Sequence, residues 1–249
     1  MVGNLSSVLE SGDHTLAASG LGRTEGPLWH PEGYLTLVDL DGSRLLRWDT
    51  DGTVSVLREG TGEGNGCTFD RQGRLLMCEG ADHRRLTRMD SAGAVTAVAE
   101  TYNGKRFNKP NDVVCRSDGS IYFTDPELRL PPEQREMGFA GVFRLDPSGR
   151  LDLATDECVY PNGLAFSPDE STLYVAISRL DEHCFEEAEK GLLCNHREIR
   201  AFDVAVDGGL SNNRRFCDMA SAEEGVPDLS LIHISEPTRR YAISYADFC

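Results

Sequence analysis

The chain has 249 residues, of which 41 are acidic and 25 basic, for a net charge of −16 with 39% hydrophobic residues. The acidic excess argues against a nucleic-acid binder, which needs clustered Lys and Arg against phosphates, and no apolar run approaches the roughly 18 residues of a membrane span. The segment Met1 to Ser7 has neither a basic stretch nor a long apolar one, so the expectation is a cytoplasmic protein with no membrane partner.

In chain order, the first predicted element is a hairpin, Trp29 to Val38, turning at Pro31-Glu32-Gly33. Its counterparts are Cys67 to Met77 around Gly73, Val113 to Phe123 around Gly119, and Leu164 to Val175 around Pro168-Asp169-Glu170. Each reads as strand, tight turn, strand. A second kind of hairpin falls between them. It starts at Leu45-Leu46-Arg47-Trp48, Leu86-Thr87-Arg88-Met89, Val142-Phe143-Arg144-Leu145 and Ile199-Arg200-Ala201-Phe202, and each run leads to a Gly-containing turn. Two hairpins make a four-stranded unit. The spacing from Gly33 to Gly73 to Gly119 is 40 and then 46 residues, and four strands per 40–50 residues is the signature of a β-propeller blade. The predicted fold class is therefore all-β, a propeller. Only Asp181 to Lys190 reads as helical, and Glu127 to Met137 reads as a long loop.

Eight cysteines show no CxxC pair. Cys67, Cys78 and Cys115 lie in strand-like runs and read as small buried hydrophobes. His183-Cys184 and Cys194-x-His196 form a small Cys/His group whose spacing matches no standard zinc pattern.

One position recurs. Glu25, Asn65 and Asn111 each precede a turn glycine by eight residues, Asn162 stands eight before Glu170, and Asp228 opens a fifth unit. Each is expected just before a strand that lines the central channel. A single Asn-Gly pair reads as an ordinary turn. The set in phase implies amide and carboxylate oxygens converging on one axis, a donor set for a hard cation such as calcium.

The motifs Thr24-Glu25-Gly26-Pro27-Leu28-Trp29, Asn108-Lys109-Pro110-Asn111-Asp112-Val113, Phe123-Thr124-Asp125-Pro126, Tyr160-Pro161-Asn162-Gly163-Leu164 and Gly225-Val226-Pro227-Asp228 resemble the regucalcin (senescence marker protein)/gluconolactonase family over about residues 10–228. The resemblance implies a six-bladed propeller that hydrolyses sugar lactones with one divalent cation in its channel. Calcium is the first expectation, with Zn2+, Mg2+ or Mn2+ as other occupants. It implies Glu25, Asn111, Asn162 and Asp228 as ligands and Asp228 also as general base. It places Asn65, Arg106, Asn111 and Asp112 on the substrate side, with Lys109 beside Arg106 and Asp112 supporting the ligands. The implied partner is a small lactone, chosen by loops such as 127–139 and 179–197. Alternatives that use the same axial oxygens are a phosphotriesterase-type propeller hydrolase and a calcium-binding propeller without catalysis. A WD-repeat scaffold is disfavoured, since Trp48-Asp49 occurs once.

About four blades are expected, with an incomplete fifth. Past Asp228 the family continues with Gly and a further Asp-Gly turn, whereas this chain reads Leu229-Ser230-Leu231-Ile232-His233-Ile234 onward to Arg239. That peptide resembles the translation of a transposase adaptor used in DNA sequencing. The expected organisation is a partial propeller at 1–228 and a non-native tail at 229–249; the alternative for the tail is a strand through Leu231, Ile232 and Ile234. Without closing blades, the chain as written is expected to fold poorly and turn over little, activity belonging to a full-length parent.

Overall fold

The computed structural model describes residues 16–80, 83–126, 130–178 and 197–219. Four four-stranded antiparallel sheets follow one another along the chain, each with strands in sequential order. Blade 1 is β1 (Thr24–His30), β2 (Tyr34–Asp39), β3 (Arg44–Trp48) and β4 (Val54–Glu59). Blade 2 is β5 (Gly64–Phe69), β6 (Leu75–Glu79), β7 (Arg85–Met89) and β8 (Val95–Ala99). A two-stranded hairpin, β9 (Thr101–Tyr102) and β10 (Lys105–Arg106), separates it from blade 3, which is β11 (Val113–Cys115), β12 (Ile121–Asp125), β13 (Gly141–Leu145) and β14 (Leu151–Thr155). Blade 4 is β15 (Pro161–Phe166), β16 (Thr172–Ser178), β17 (Arg197–Val204) and β18 (Leu210–Asp218). These are blades of a β-propeller, as the spacing predicted.

The turns repeat with the sequence. In the first hairpin of each blade an N–H three residues on closes the turn: Gly33 to His30 O at 2.9 Å, Gly73 to Asp70 O at 2.9 Å, Gly119 to Arg116 O at 2.9 Å and Glu170 to Ser167 O at 2.8 Å. The closing residue is left-handed in all four, with φ of 92°, 75°, 90° and 55°. Three blades use Gly there at no steric cost. Blade 4 places Glu170 in the same conformation, and its carboxylate accepts the Ser117 N–H of blade 3 at 2.8 Å. The eight-residue offset read from the sequence thus ends on one structural landmark in every blade.

The first strands lie side by side, β1 against β5, β5 against β11 and β11 against β15. The last strands form the rim, where β4 is exposed almost throughout. Middle strands are covered on both faces, which explains the unbroken apolar run Leu75-Leu76-Met77-Cys78, all buried. Core forms between blades. Val38 and Leu45 of blade 1 meet Cys67, Leu75 and Met77 of blade 2. Leu76, Cys78 and Leu86 meet Val113, Phe123 and Phe143 of blade 3, with Phe107 between. Tyr122 and Val142 meet Leu164, Leu173, Val175 and Phe202 of blade 4. Cys67 and Cys78 are buried, as expected, whereas Cys115 is only half-buried.

The hairpin β9–β10 was not anticipated. Its signal is Asn103-Gly104, both at positive φ (50° and 77°), the pairing that a two-residue hairpin turn demands. Part of the expected 127–137 loop is described, and it contains a single 3-10 turn, Pro132–Gln134, with Leu130 and Met137 buried. The helix expected at 181–190, the Cys/His group at 183–196, Asp228 and the segment 229–249 lie outside the described residues. No helix among the described residues is long and apolar enough to cross a membrane.

Candidate active site

Glu25, Asn65 and Asn162 stand within their strands rather than just before them; only Asn111 precedes its strand, β11. The reason is a β-bulge. Pairing with the second strand slips between Glu25 and Leu28, between Gly64 and Cys67, and between Pro161 and Leu164. A bulge takes one or two residues out of register and re-aims their side chains. Glu25-Gly26 lies in one of these bulges, and the Asn65-Gly66 and Asn162-Gly163 pairs, which taken singly read as turns, lie in the other two.

The bulged positions are stitched from blade to blade. Gly26 abuts the Asn65 carbonyl so closely that a Cβ there would overlap it. The Gly66 N–H donates to Asn111 O at 2.7 Å. Thr124 Oγ1 donates to Asn162 O at 2.7 Å. Each axial residue therefore neighbours the next, and Glu25, Asn65, Asn111 and Asn162 follow one another along the inner edge of four consecutive blades.

Gly66 is required by this stitch. A Cβ on it would stand 2.6 Å from Asp112 Cα and 2.8 Å from Asn111 O, both backbone atoms that cannot step aside. Gly66→Ala is expected to destabilise by about 2–3 kcal/mol through overpacking and to lower Tm by roughly 5–10 °C for a chain of this size. A melt within about 1 °C of the unmodified chain would show that the blade 2–blade 3 seam is looser than described.

Thr124, fully buried, is a hub that sequence reading missed. Its Oγ1 also accepts the Asp112 N–H at 3.0 Å, its carbonyl accepts the Asn111 N–H at 2.9 Å, and its N–H donates to Asp112 O at 3.0 Å. The Asp112 carboxylate, fully buried as well, accepts the Leu164 N–H through Oδ2 at 2.9 Å. Asp112 therefore supports the amides on both sides, tying the residue after Asn111 to the residue two beyond Asn162. The only advance sign of Thr124 was its place in the Phe-Thr-Asp-Pro motif.

Asn111 and Asn162 are each 8% exposed. Among the described residues, no hydrogen bond engages either side-chain amide. Glu25 is half-buried in the same row. Buried amide oxygens in one row with a carboxylate are a fitting donor set for a hard divalent cation. Among the described residues no three His, Cys, Asp or Glu side chains gather into a metal-binding group. The donors would therefore be amides with one carboxylate from this part of the chain.

Lys109 and Arg106 diverge. Lys109 Nζ crosses to Glu63 Oε2 of the preceding blade at 2.5 Å, with Glu63 two residues from Asn65 and Lys109 two from Asn111. Arg106 is exposed on β10; its N–H donates to Glu136 Oε2 at 2.9 Å and its Nη2 to the His83 carbonyl at 3.3 Å. Cys67 lies beside the row and its Sγ donates to Asn65 O at 3.5 Å, but burial pushes its thiol, like that of Cys78, far above the ordinary range. Neither is a thiolate nucleophile. A groove of about 560 Å3 lies between blades 2 and 3 at the opposite strand ends, lined by turn residues such as Arg71, Arg74, Asp118 and Asp146. The axial residues do not line it.

Comparison with known proteins agrees with this architecture. The profile of the SMP-30/Gluconolactonase/LRE-like region matches residues 23–235. A gluconolactonase of Zymomonas mobilis is 34% identical over 180 residues, 65% of this chain and 50% of the relative. Regucalcin of Xenopus laevis is 27% identical over 207 residues, 82% of this chain and 62% of the relative. The chain thus spans about half to three-fifths of the length of these relatives. Among solved structures, a gluconolactonase of Xanthomonas campestris superposes with a TM-score of 0.70 at 39% identity, covering 85% of this chain and 67% of the other. The protein belongs to the SMP-30/gluconolactonase/LRE-like family.

Proposed function

We propose that this chain carries the axial site of a divalent-cation-dependent hydrolase of sugar lactones. The observation that carries the reading is the row of axial residues, in which buried Asn111 and Asn162 make no side-chain amide hydrogen bond among the described residues and Glu25 heads the same row. The likeness to gluconolactonases supports the substrate class.

In this reading Glu25, Asn111 and Asn162 hold the cation, calcium foremost, together with Asp228. The bound cation supplies Lewis-acid polarisation of the lactone carbonyl and stabilises the oxyanion that develops there. Asp228 takes a proton from the attacking water. The water oxygen bonds to the carbonyl carbon, the ring C–O bond breaks, and a proton passes to the released ring oxygen to give a hydroxy acid. Asn65 meets substrate hydroxyls and Asp112 keeps Asn111 and Asn162 in place, while Lys109, paired with Glu63, and Arg106, exposed on β10, diverge and are not assigned to the substrate.

The test is turnover of glucono-δ-lactone followed in a pH-stat, with melting curves in parallel. In the full-length parent, turnover is expected with calcium, to be lost in EDTA and restored by added calcium. Saturating calcium at about 100 times Kd should stabilise the fold by about 2.7 kcal/mol. Calcium stabilisation with no lactone turnover would favour a binding propeller, and neither effect would sink the proposal.

A further inference from the structure

We infer that Asp125 is a positioning residue of the axial site, holding the arch that presents Asn111; the catalytic part of this role rests on the lactonase reading above. The second strand of each blade ends in a buried polar residue: Asp39, Glu79, Asp125 and Ser178, each at most 1% exposed. In blades 1 and 2 this position serves structure through arginine. Asp39 pairs with Arg44 at 2.5 Å, and Glu79 pairs with Arg58 at 2.5 Å and Arg85 at 2.8 Å.

In blade 3 the same position is turned to the loop before Asn111. Asp125 Oδ2 accepts the Asn108 N–H at 2.8 Å, and Oδ1 accepts the Lys109 N–H at 2.7 Å. Pro110 has no N–H, and those of Asn111 and Asp112 end on Thr124. Every backbone donor from 108 to 112 therefore terminates on two consecutive residues of β12. The segment belongs to no strand before Val113, so its shape depends on these bonds. Two further ties brace it, from Arg84 Nε to Phe107 O at 2.5 Å and from Asn108 Nδ2 to Phe139 O at 2.8 Å.

A carboxylate suits this task because it accepts on both oxygens. An Asn at 125 would turn an NH2 against one of the two N–H groups, so the arch would lose a charge-assisted bond and gain a clash of donors. Lys109 and Asn111 would shift together.

The test compares the unmodified chain, Asp125→Asn and, as a control from the equivalent blade 1 position, Asp39→Asn. Backbone hydrogen exchange is read over 106–112 alongside lactone kinetics. In the unmodified chain Asn108 and Lys109 should exchange within about tenfold of the β12 amides although they lie in no strand. Asp125→Asn should speed exchange over 108–112 by about tenfold or more with β13 unchanged, and lower kcat/KM by roughly 10- to 100-fold. Asp39→Asn should lower Tm and leave 106–112 as it was. Unchanged exchange in a folded Asp125→Asn overturns the inference. So does faster exchange with unchanged kcat/KM. If the full-length parent shows no turnover, the lactone reading fails, and exchange with the calcium-induced melting shift decides the positioning role. If Asp125→Asn does not fold, rapid exchange of Asn108 and Lys109 in the unmodified chain overturns it.

Discussion

Replacing Glu25 with Gln is expected to abolish calcium-dependent turnover while leaving the fold intact. Glu25 supplies the one carboxylate among the described axial residues, and it is half-buried on β1 at the bulge. The change keeps the shape but turns one acceptor oxygen into an NH2 donor and removes the charge that offsets a divalent cation. Loss of that term should cost several kcal/mol of transition-state stabilisation, roughly 10³-fold in kcat/KM. The melting shift on adding calcium should shrink in parallel, because the same interaction stabilises the folded state by mass action. Kinetics and melts, each titrated with calcium, check both effects. A Glu25→Gln chain with ordinary turnover and an ordinary calcium shift would remove Glu25 from the site. Turnover lost with the calcium shift intact would place its role in the reaction rather than in holding the cation.

The second large effect belongs to the clasp between blades 1 and 2. Glu79 is fully buried at the end of β6. Its Oε1 accepts Arg58 Nη2, from β4, at 2.5 Å and Thr87 Oγ1 at 3.0 Å; Oε2 accepts Arg85 Nε at 2.8 Å and meets His83 Nδ1 at 2.6 Å. Burial by itself would raise its pKa. The Arg85 hydrogen bond and the nearby Arg58 charge outweigh that, so the carboxyl titrates below the ordinary 4.5. Glu79→Gln would leave the Arg58 guanidinium, on a side chain 12% exposed, without its carboxylate, and Arg85 with only Glu100 at 3.6 Å. Breaking a buried pair from one side costs about 3–5 kcal/mol. The sign with pH follows from the lowered value. The stabilisation is complete above pH 4.5 and is lost as pH falls through the folded value. Urea melts of the two chains should therefore differ most near neutrality and converge in acid below 4.5. A gap that stays constant down to pH 3 would mean that the charge of Glu79 is not what holds the clasp.

The architecture was legible because a propeller repeats itself. Turn glycines at Gly33, Gly73 and Gly119 and the apolar runs flanking them recur at blade spacing, and turn chemistry is written in adjacent residues. The phase of Glu25, Asn65, Asn111 and Asn162 was legible for the same reason, since an equal offset from an equivalent turn gives an equivalent place in the blade. The β9–β10 hairpin was equally local, signalled by Asn103-Gly104, and was overlooked because it lies outside the repeat.

What the sequence by itself determined, then, was whatever depends on neighbours along the chain: strand, turn, blade and the phase of the axial residues. Only the tertiary structure decided that three of those residues sit in bulges, because a bulge is a relation between two strands and an Asn-Gly pair alone also fits a turn. The same holds for Thr124 and Asp125. Their partners lie 12 to 38 residues away, and a hydroxyl or carboxylate at a strand end has no local mark that distinguishes an arginine clasp, as at Glu79, from an arch over the axis, as at Asp125. That choice is made by which backbone donors the loop before Asn111 brings within 3 Å, and packing between residues distant in sequence sets it.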